Sequence, residues 1–406
     1  MTRNVGWVVG WLGLAGLAAA GELTISVVGG NVALGPVPVL ATVPNDLEAA
    51  PGAYRLEPAE GGGPPCPATV YRDGSETTLA AVIDRIGAGQ RRSFRLVAGA
   101  PDGSAAWRFD ETPDGFNIVA GGEPIAGYHE GETKPYWHPI LGPGGVPMTR
   151  GWPMLRGMNE QEDHPHQRSM WFTHGDVNGV DFWASDPLNK KDPRHGTIRM
   201  TGRFLRAAGP GFAAARMGDA WLDGRNHPVC DDIQTVRIWD AGDVRLIDVE
   251  VEVRANHGPV TFGDTKEGVF GVRVPTEMAV DAREGGRIVN AEGLIDAAAW
   301  GKPSAWVDYS GRVRGEEVGL AILDHPSNLR HPTSWHVRTY GLFAANPFGY
   351  HDFGIGEPGA YTIPEGESRR FRYRVVLHRG DAEEGDVARQ FEAFARPPRV
   401  DVTSGP

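Results

Sequence analysis

Histidines, carboxylates and aromatic rings crowd the stretch Tyr136–Trp183, YWHPILGPGGVPMTRGWPMLRGMNEQEDHPHQRSMWFTHGDVNGVDFW. It holds four of the thirteen histidines (His138, His164, His166, His174) and four of the twelve tryptophans, set among Glu160, Asp163, Arg150 and Arg168. Flat rings supply burial and ionisable tips supply orientation, the combination that a pocket for a polar ligand needs. In an extended chain, residues two apart share a face, so His164, His166, Arg168, Met170, Phe172 and His174 are expected to point one way. Histidines at that spacing suit half of a divalent-metal site, with zinc the obvious ion. They equally suit hydrogen bonds to sugar hydroxyls or general acid–base chemistry, because imidazole titrates near neutral pH. Turn histidines paired with Asp163 and Glu162 are the alternative that involves no ligand.

Three further runs carry chemistry. In His174-Gly-Asp176-Val-Asn178-Gly-Val-Asp181-Phe-Trp183, oxygen side chains alternate between glycines, as around a cation, but the spacing of a calcium loop is absent. Asx-turns that cap a strand account for the same residues. Asp264-Thr-Lys266-Glu267 precedes the strand VFGVRVP, and Glu267 is either a base that partners a histidine acid or the solvated end of a strand. In SWHVRTYG, His336, Arg338 and Tyr340 share one face, opposite Trp335, so that side is wet or lines a cleft.

The expected catalytic residues are therefore His164, His166, Glu267 and His336. Trp171, Trp183 and Trp335 are expected to stack on a ring. His138, Arg168, His174, Asp176, Asn178, Asp181, Arg338, Tyr340 and Asn346 complete the expected binding set. There is no GxSxG, P-loop, HExxH or strand-borne GxGxxG to point elsewhere.

The elements that must position these residues read as strands. Fifty-six glycines and thirty-two prolines are spread evenly, which suits many short strands joined by tight turns. Residues 21–100 read as a small immunoglobulin-like β domain. LTISVV, PVPVLATV and ATVYRD are its strands, RRSFRLVAG has the look of an edge strand, and Leu79–Ile86 is ambiguous between strand and helix. Residues 101–382 carry alternating runs throughout, the clearest a hairpin TVRIWD-AGD-VRLIDVEVEVR. Leu246, Val249, Val251 and Val253 do not keep one parity, which calls for a bulge or burial on both faces. So many strands exceed an ordinary sandwich, and without a 40–50-residue repeat a large two-sheet antiparallel sandwich fits better than a propeller. In the final segment, 383–406, Val387, Phe391 and Phe394 mark a short helix that Pro397 ends. The fold expected is all-β with this one helix.

The first twenty residues have the positive, apolar and small-residue regions of a signal peptide, with an uncleaved anchor as the alternative. An exported chain, periplasmic or extracellular, follows, with no membrane span after the signal. A net charge of −12 argues against nucleic acid and anionic membranes as partners. Cys66 and Cys230 are permitted to pair in an oxidising compartment, and neither lies in a thiolate metal motif.

At WHPI…TRGWP, DHPHQRSMWFTHGDVNGVDFW, KEGVFGVRVP and DHPSNLRHPTSWHVRTYGLFAANPFG, the chain resembles the secreted PmoA-like family, often labelled methane oxygenase, over about residues 105–380. That family more usually carries paired histidines where Gln167-Arg168 stand here. A methane-oxidising membrane subunit needs several apolar spans, which this chain lacks. The family context implies carbohydrate work instead, and the main domain resembles the galactose-mutarotase supersandwich, whose clefts use histidines with a carboxylate. The resemblance leaves three expectations: a carbohydrate-active enzyme of hydrolase, lyase or epimerase type, a non-catalytic glycan-binding module, or a metal-dependent oxygenase.

Overall fold

The computed structural model describes residues 23–47, 49–61, 63–156 and 159–404. The proposed signal peptide lies outside them. Every pair of neighbouring strands is antiparallel. Among the described residues no helix is long and apolar enough to cross a membrane.

A seven-stranded sheet comes first, in the order Val37–Val43, Glu76–Ile83, Cys66–Asp73, Gly52–Pro58, Arg91–Ala98, Leu23–Val28, Arg399–Ser404. Leu23–Val28 alternates buried and half-buried residues, putting Leu23, Ile25 and Val27 inward against Leu56, Leu79 and Phe94. The segment that is ambiguous in sequence is a strand, Glu76–Ile83. Arg91–Ala98 is not at an edge: it lies between Gly52–Pro58 and Leu23–Val28. Its arginines look edge-like because their heads reach solvent while Phe94 is fully buried. Arg399–Ser404 adds a strand to this sheet, where the sequence suggested a tail.

Two eight-stranded sheets form the large sandwich. One runs Ser334–Val337, Leu342–Asn346, Gly268–Arg273, Met170–His174, Tyr136–Ile140, Glu123–His129, Gly115–Ala120, Trp107–Thr112. The other runs Thr197–Gly209, Phe212–Leu222, Pro228–Asp240, Val244–Arg254, Ser368–Arg379, Glu316–Asp324, Trp306–Val313, Arg287–Asn290. Phe116, Trp137, Phe172, Phe270, Phe371 and Tyr373 fill the space between them. The hairpin is present with an unbroken register from Asp240↔Arg245 to Asp231↔Arg254. The mixed parity in Val244–Arg254 is therefore two-sided burial: Val244 and Leu246 face a second cluster, where Tyr71 and Ala80 of the small sheet meet Phe212, Trp239 and Val387. The helix Val387–Ala395 wedges into that junction, Val387 on the second cluster and Ala393 on the core of the small sheet. Cys66 and Cys230 are both buried and unbonded, one in each core.

Candidate active site

The site is built on the face of the first large sheet that points away from the sandwich core. Trp171 lies opposite Gly271, Gly271 opposite Ala344, and Ala344 opposite His336. Directly opposed residues share a face, so this row sets a large ring at each end of a trough of small residues. A Cβ on Gly271 would come within 2.8 Å of Trp171 Cζ2, so only glycine lets the indole lie along the trough. Tyr136, Trp171, Trp183, Leu342 and Ala344 pack there as an apolar floor.

A loop between Tyr136–Ile140 and Met170–His174 crosses this floor, held by two fully buried arginines, Arg150 and Arg273. Buried guanidiniums require a charged or carbonyl partner. Both donate to Asp163 Oδ1, Arg273 Nη2 at 2.9 Å, and Arg150 also takes the carbonyls of Gln161 at 3.0 Å and His164 at 3.1 Å. Burial alone would raise the Asp163 carboxyl, but the His164 hydrogen bond and the two guanidiniums hold it well below the usual carboxylate range. Gln167, also buried, accepts from Arg273 and donates to the Tyr340 hydroxyl at 3.5 Å. Pinned in this way, the loop is a turn at Pro165-His166 and not a strand: Gln167 N–H donates to His164 O at 2.9 Å, and His164 has φ +42°. The expected common face therefore does not include residues 164–168 and holds only for Met170, Phe172 and His174 on the strand Met170–His174.

The hydrogen-bond partners fix the histidine tautomers. Asn189 Nδ2 donates to His166 Nδ1 at 2.9 Å, which leaves the proton on Nε2. His336 Nδ1 donates to Lys266 O at 2.8 Å, which leaves Nε2 with a free lone pair and no partner among the described residues. Burial, then the charge of Lys134, pushes His166 down to about 2. Burial pushes His336 down to about 3 against the pull of the Lys266 carbonyl, with Arg338, Lys266 and His164 adding to the depression. Both rings are neutral at neutral pH. His164 stacks on Tyr340, 5.1 Å between centroids and 4° from parallel, and Asp163 Oδ2 takes its Nδ1 at 2.8 Å.

Glu267 stands beside His336, Oε2 3.9 Å from Nδ1, a close approach to a neutral ring with no hydrogen bond. Burial raises its carboxyl, Lys266 Nζ at 3.5 Å opposes that, and Asp181 and Asp352 add to the rise. The segment before it is clamped: Asp264 accepts from His351 N at 2.9 Å and Gly359 N at 2.8 Å, and Asp352 accepts from Lys266 N at 2.7 Å. Asn346 sits at the same clamp, donating to Thr265 O and accepting from Phe348 N and Gly349 N, so it holds a turn and is not presented to a ligand.

His164, Glu267, His336, Arg338 and Tyr340 are thus neighbours around the Tyr340 and Trp300 rings, with His166 beside His164 at 5.7 Å between ring centroids. Arg168 bonds buried Asp186 at 2.6 Å and covers the Tyr136 ring. Asp181 caps Ala184 N at 2.9 Å close by. Other expected residues are elsewhere. Trp171 and Trp183 are 2% and 1% exposed, as deep as His336 at 2%, and pack in the floor with their indole N–H groups unpartnered, while Trp335 faces the core with its indole N–H on Ser304 O. His174 is buried between Phe262 and Phe348, donating Nε2–H to Gly263 O. Asp176 caps a local turn, accepting from Gly179 N, while Asn178 ties the turn to a distant strand, donating to Pro259 O and accepting from Thr261 N. His138 is buried beneath, with Nδ1 unpartnered. Burial and neighbouring His129 push it to about 4.

Sequence reasoning missed Trp300, which follows the single 3₁₀ turn Asp296–Ala299 and carries no motif. Its half-buried ring meets His336 edge-on at 5.0 Å and supports the Arg338 guanidinium at 4.6 Å. It also missed Arg273, hidden in an otherwise apolar strand. Lys134, fully buried, donates to the carbonyls of Trp183 and Phe182 and is pushed by burial down to about 7. Among the described residues no three His, Cys, Asp or Glu side chains gather as metal ligands.

Residues 116–392 match a family of unknown function, DUF6807. That description names no activity and does not use the PmoA label. No curated protein matches the chain. Among solved structures it is similar to a protein in glycosyl hydrolase family 38 from Enterococcus faecalis, at 12% identity and a TM-score of 0.43, covering 94% of this chain and 47% of that one. An α-mannosidase from Enterococcus faecalis V583 stands at 11% identity and a TM-score of 0.42, covering 94% and 46%. The chain spans about half the length of each.

Proposed function

The chain belongs to the DUF6807 family, and on that footing we propose that it is an exported carbohydrate-active enzyme acting on a sugar or oxidised glycoside in the cleft beside Trp300 and Tyr340. The observation that carries this is the meeting of Glu267 and His336, 3.9 Å apart, next to two half-buried aromatic rings. Aromatic faces take the apolar face of a pyranose, and the polar tips around them order its hydroxyls. Glu267, its carboxyl raised by burial, is the group that exchanges a proton. His336 stays neutral and offers the Nε2 lone pair to a hydroxyl, and His164 closes the cleft over Tyr340. A carboxyl with an imidazole suits lyase or epimerase chemistry, in which one proton is taken and returned. Classical glycoside hydrolysis uses two carboxylates.

The test is incubation of the purified protein with native and oxidised glycosides, followed by NMR. Glu267→Gln is expected to lower turnover about 10²- to 10⁴-fold while leaving binding within a few fold. Absence of turnover on the whole panel would sink the enzymatic reading. Retained binding would then favour a glycan-binding module, the reading supported by two cleft histidines that do not titrate near neutrality.

A further inference from the structure

Arg338 is the cation of the cleft that has no carboxylate. Arg150 and Arg273 share Asp163, Arg168 is paired with Asp186, and Lys266 lies between Glu267 and Asp352. Arg338 is half-buried, 4.6 Å over Trp300 and 5.9 Å from the Tyr340 ring, and its guanidinium makes no hydrogen bond or ion pair with any described residue. A guanidinium lying on an aromatic face keeps its N–H groups in plane at its rim, where they form a fork suited to a planar, two-oxygen acceptor. Withdrawing a guanidinium partly from water without an opposite charge is costly. The chain carries 52 acidic residues against 40 basic ones, so carboxylates are not scarce. The charge is also directed: it bears on His336 and Tyr340, the groups that face the ligand.

We propose that the ligand is a sugar acid whose carboxylate sits on the Arg338 fork, with its ring against Trp300 and its hydroxyls toward His336. This rests on the carbohydrate reading of the same cleft and narrows it to uronate-type or aldonate-type ligands. Fixing the carboxylate at Arg338 sets which carbon of the sugar faces Glu267. Arg338 is thus a specificity-determining residue and takes no part in proton transfer.

Isothermal titration with matched pairs tests this, methyl β-D-glucuronide against methyl β-D-glucoside and D-galacturonate against D-galactose. In at least one pair the acid is expected to bind about tenfold tighter or more, the ordinary scale for a charge-assisted pair. That preference should shrink as salt is raised. Arg338→Ala and Arg338→Gln should abolish the preference for the acid over its neutral partner, while Arg338→Lys keeps part of it. Circular dichroism and a thermal melt of each variant separate lost recognition from lost folding. Equal binding within both pairs, no binding of any of the four, or a preference that survives Arg338→Ala overturns the proposal. Turnover of neutral sugars alone removes the sugar-acid assignment and leaves the enzyme reading standing. Acid-selective binding without turnover does the reverse.

Discussion

Asp163 is the residue on which the cleft's loop depends, because one carboxylate oxygen serves two buried guanidiniums. Replacing it with asparagine leaves both cations in place with their shared negative charge gone. Breaking a buried pair from one side typically costs 3–5 kcal/mol. Asp163 is partly open to solvent, so a loss of about 3 kcal/mol in urea unfolding is expected for Asp163→Asn, with His164 freed from Tyr340. A loss under about 1 kcal/mol would show that water replaces the carboxylate. Gln167 follows the same logic: a buried amide can accept from Arg273 and donate to Tyr340 at once. Histidines, carboxylates and aromatics can be singled out in a sequence by type. Their partners cannot, and partners decide which ring nitrogen is held and which is left over: Lys266 O holds Nδ1 of His336, whereas Gly263 O holds Nε2 of His174.

Among the elements, strands were the legible part. Alternation located the hairpin and most of both large sheets, because a half-buried strand writes its burial pattern directly into residue order. Residues 160–168 were not legible. A positive φ at His164 and at Ser169 accompanies the arginine network, Arg150 from the same loop and Arg273 from a distant strand, which overrides any local preference. Arg399–Ser404 escaped notice because RVDVTS is short and polar, and its pairing partner is far away in sequence. The trough row gives a test at this scale. Gly271→Ala places a methyl 2.8 Å from Trp171, so the indole must lift or the sheet must part. A loss of about 1–3 kcal/mol is expected from such overpacking. It should come with weaker ligand binding in the cleft, since the floor under His336 rises; an unchanged melt and unchanged binding would contradict the row.

For the whole molecule, the second large sheet carries a pH response opposite in sign to that of the buried histidines. Asp219 and Asp232 face each other across Phe212–Leu222 and Pro228–Asp240, both 1% exposed. Trp221 Nε1 bonds Asp232 at 2.6 Å and Gln234 bonds Asp219 at 3.1 Å. Burial raises both carboxyls; the Asp232 charge raises Asp219 further, while hydrogen bonds from Trp221, Gln234 and Asp219 partly offset the rise at Asp232. The unfolded chain releases these protons near pH 4, while the folded chain keeps at least one of them to higher pH. The contribution of this pair therefore falls as pH rises from about 4 toward neutrality, against the depressed histidines His138, His166, His174, His325 and His336, whose contribution is lost as pH falls over the same window. Asp219→Asn should flatten that slope by on the order of 2 kcal/mol, read from urea melts at pH 5 and pH 8. A stability difference between wild type and Asp219→Asn that is the same at pH 5 and pH 8 would refute the shared-proton arrangement. His378 works in the same direction. Burial alone would lower it, but buried Asp308 at 2.7 Å wins and raises it, so that contribution is present below the ordinary histidine range and lost above the raised value.

The pairing of Leu23–Val28 with Arg399–Ser404 has a consequence in time. A ribosome makes the first of these strands long before the second, so the small sheet cannot reach its final width until nearly all of the described chain has been made. Until then Leu23–Val28 has one neighbour, Arg91–Ala98, and presents a bare edge able to recruit other strands. The sandwich can assemble in the meantime, because its strands pair within residues 107–379. The small sheet is then the last part of the molecule to finish and the first whose incompleteness a quality-control chaperone would meet.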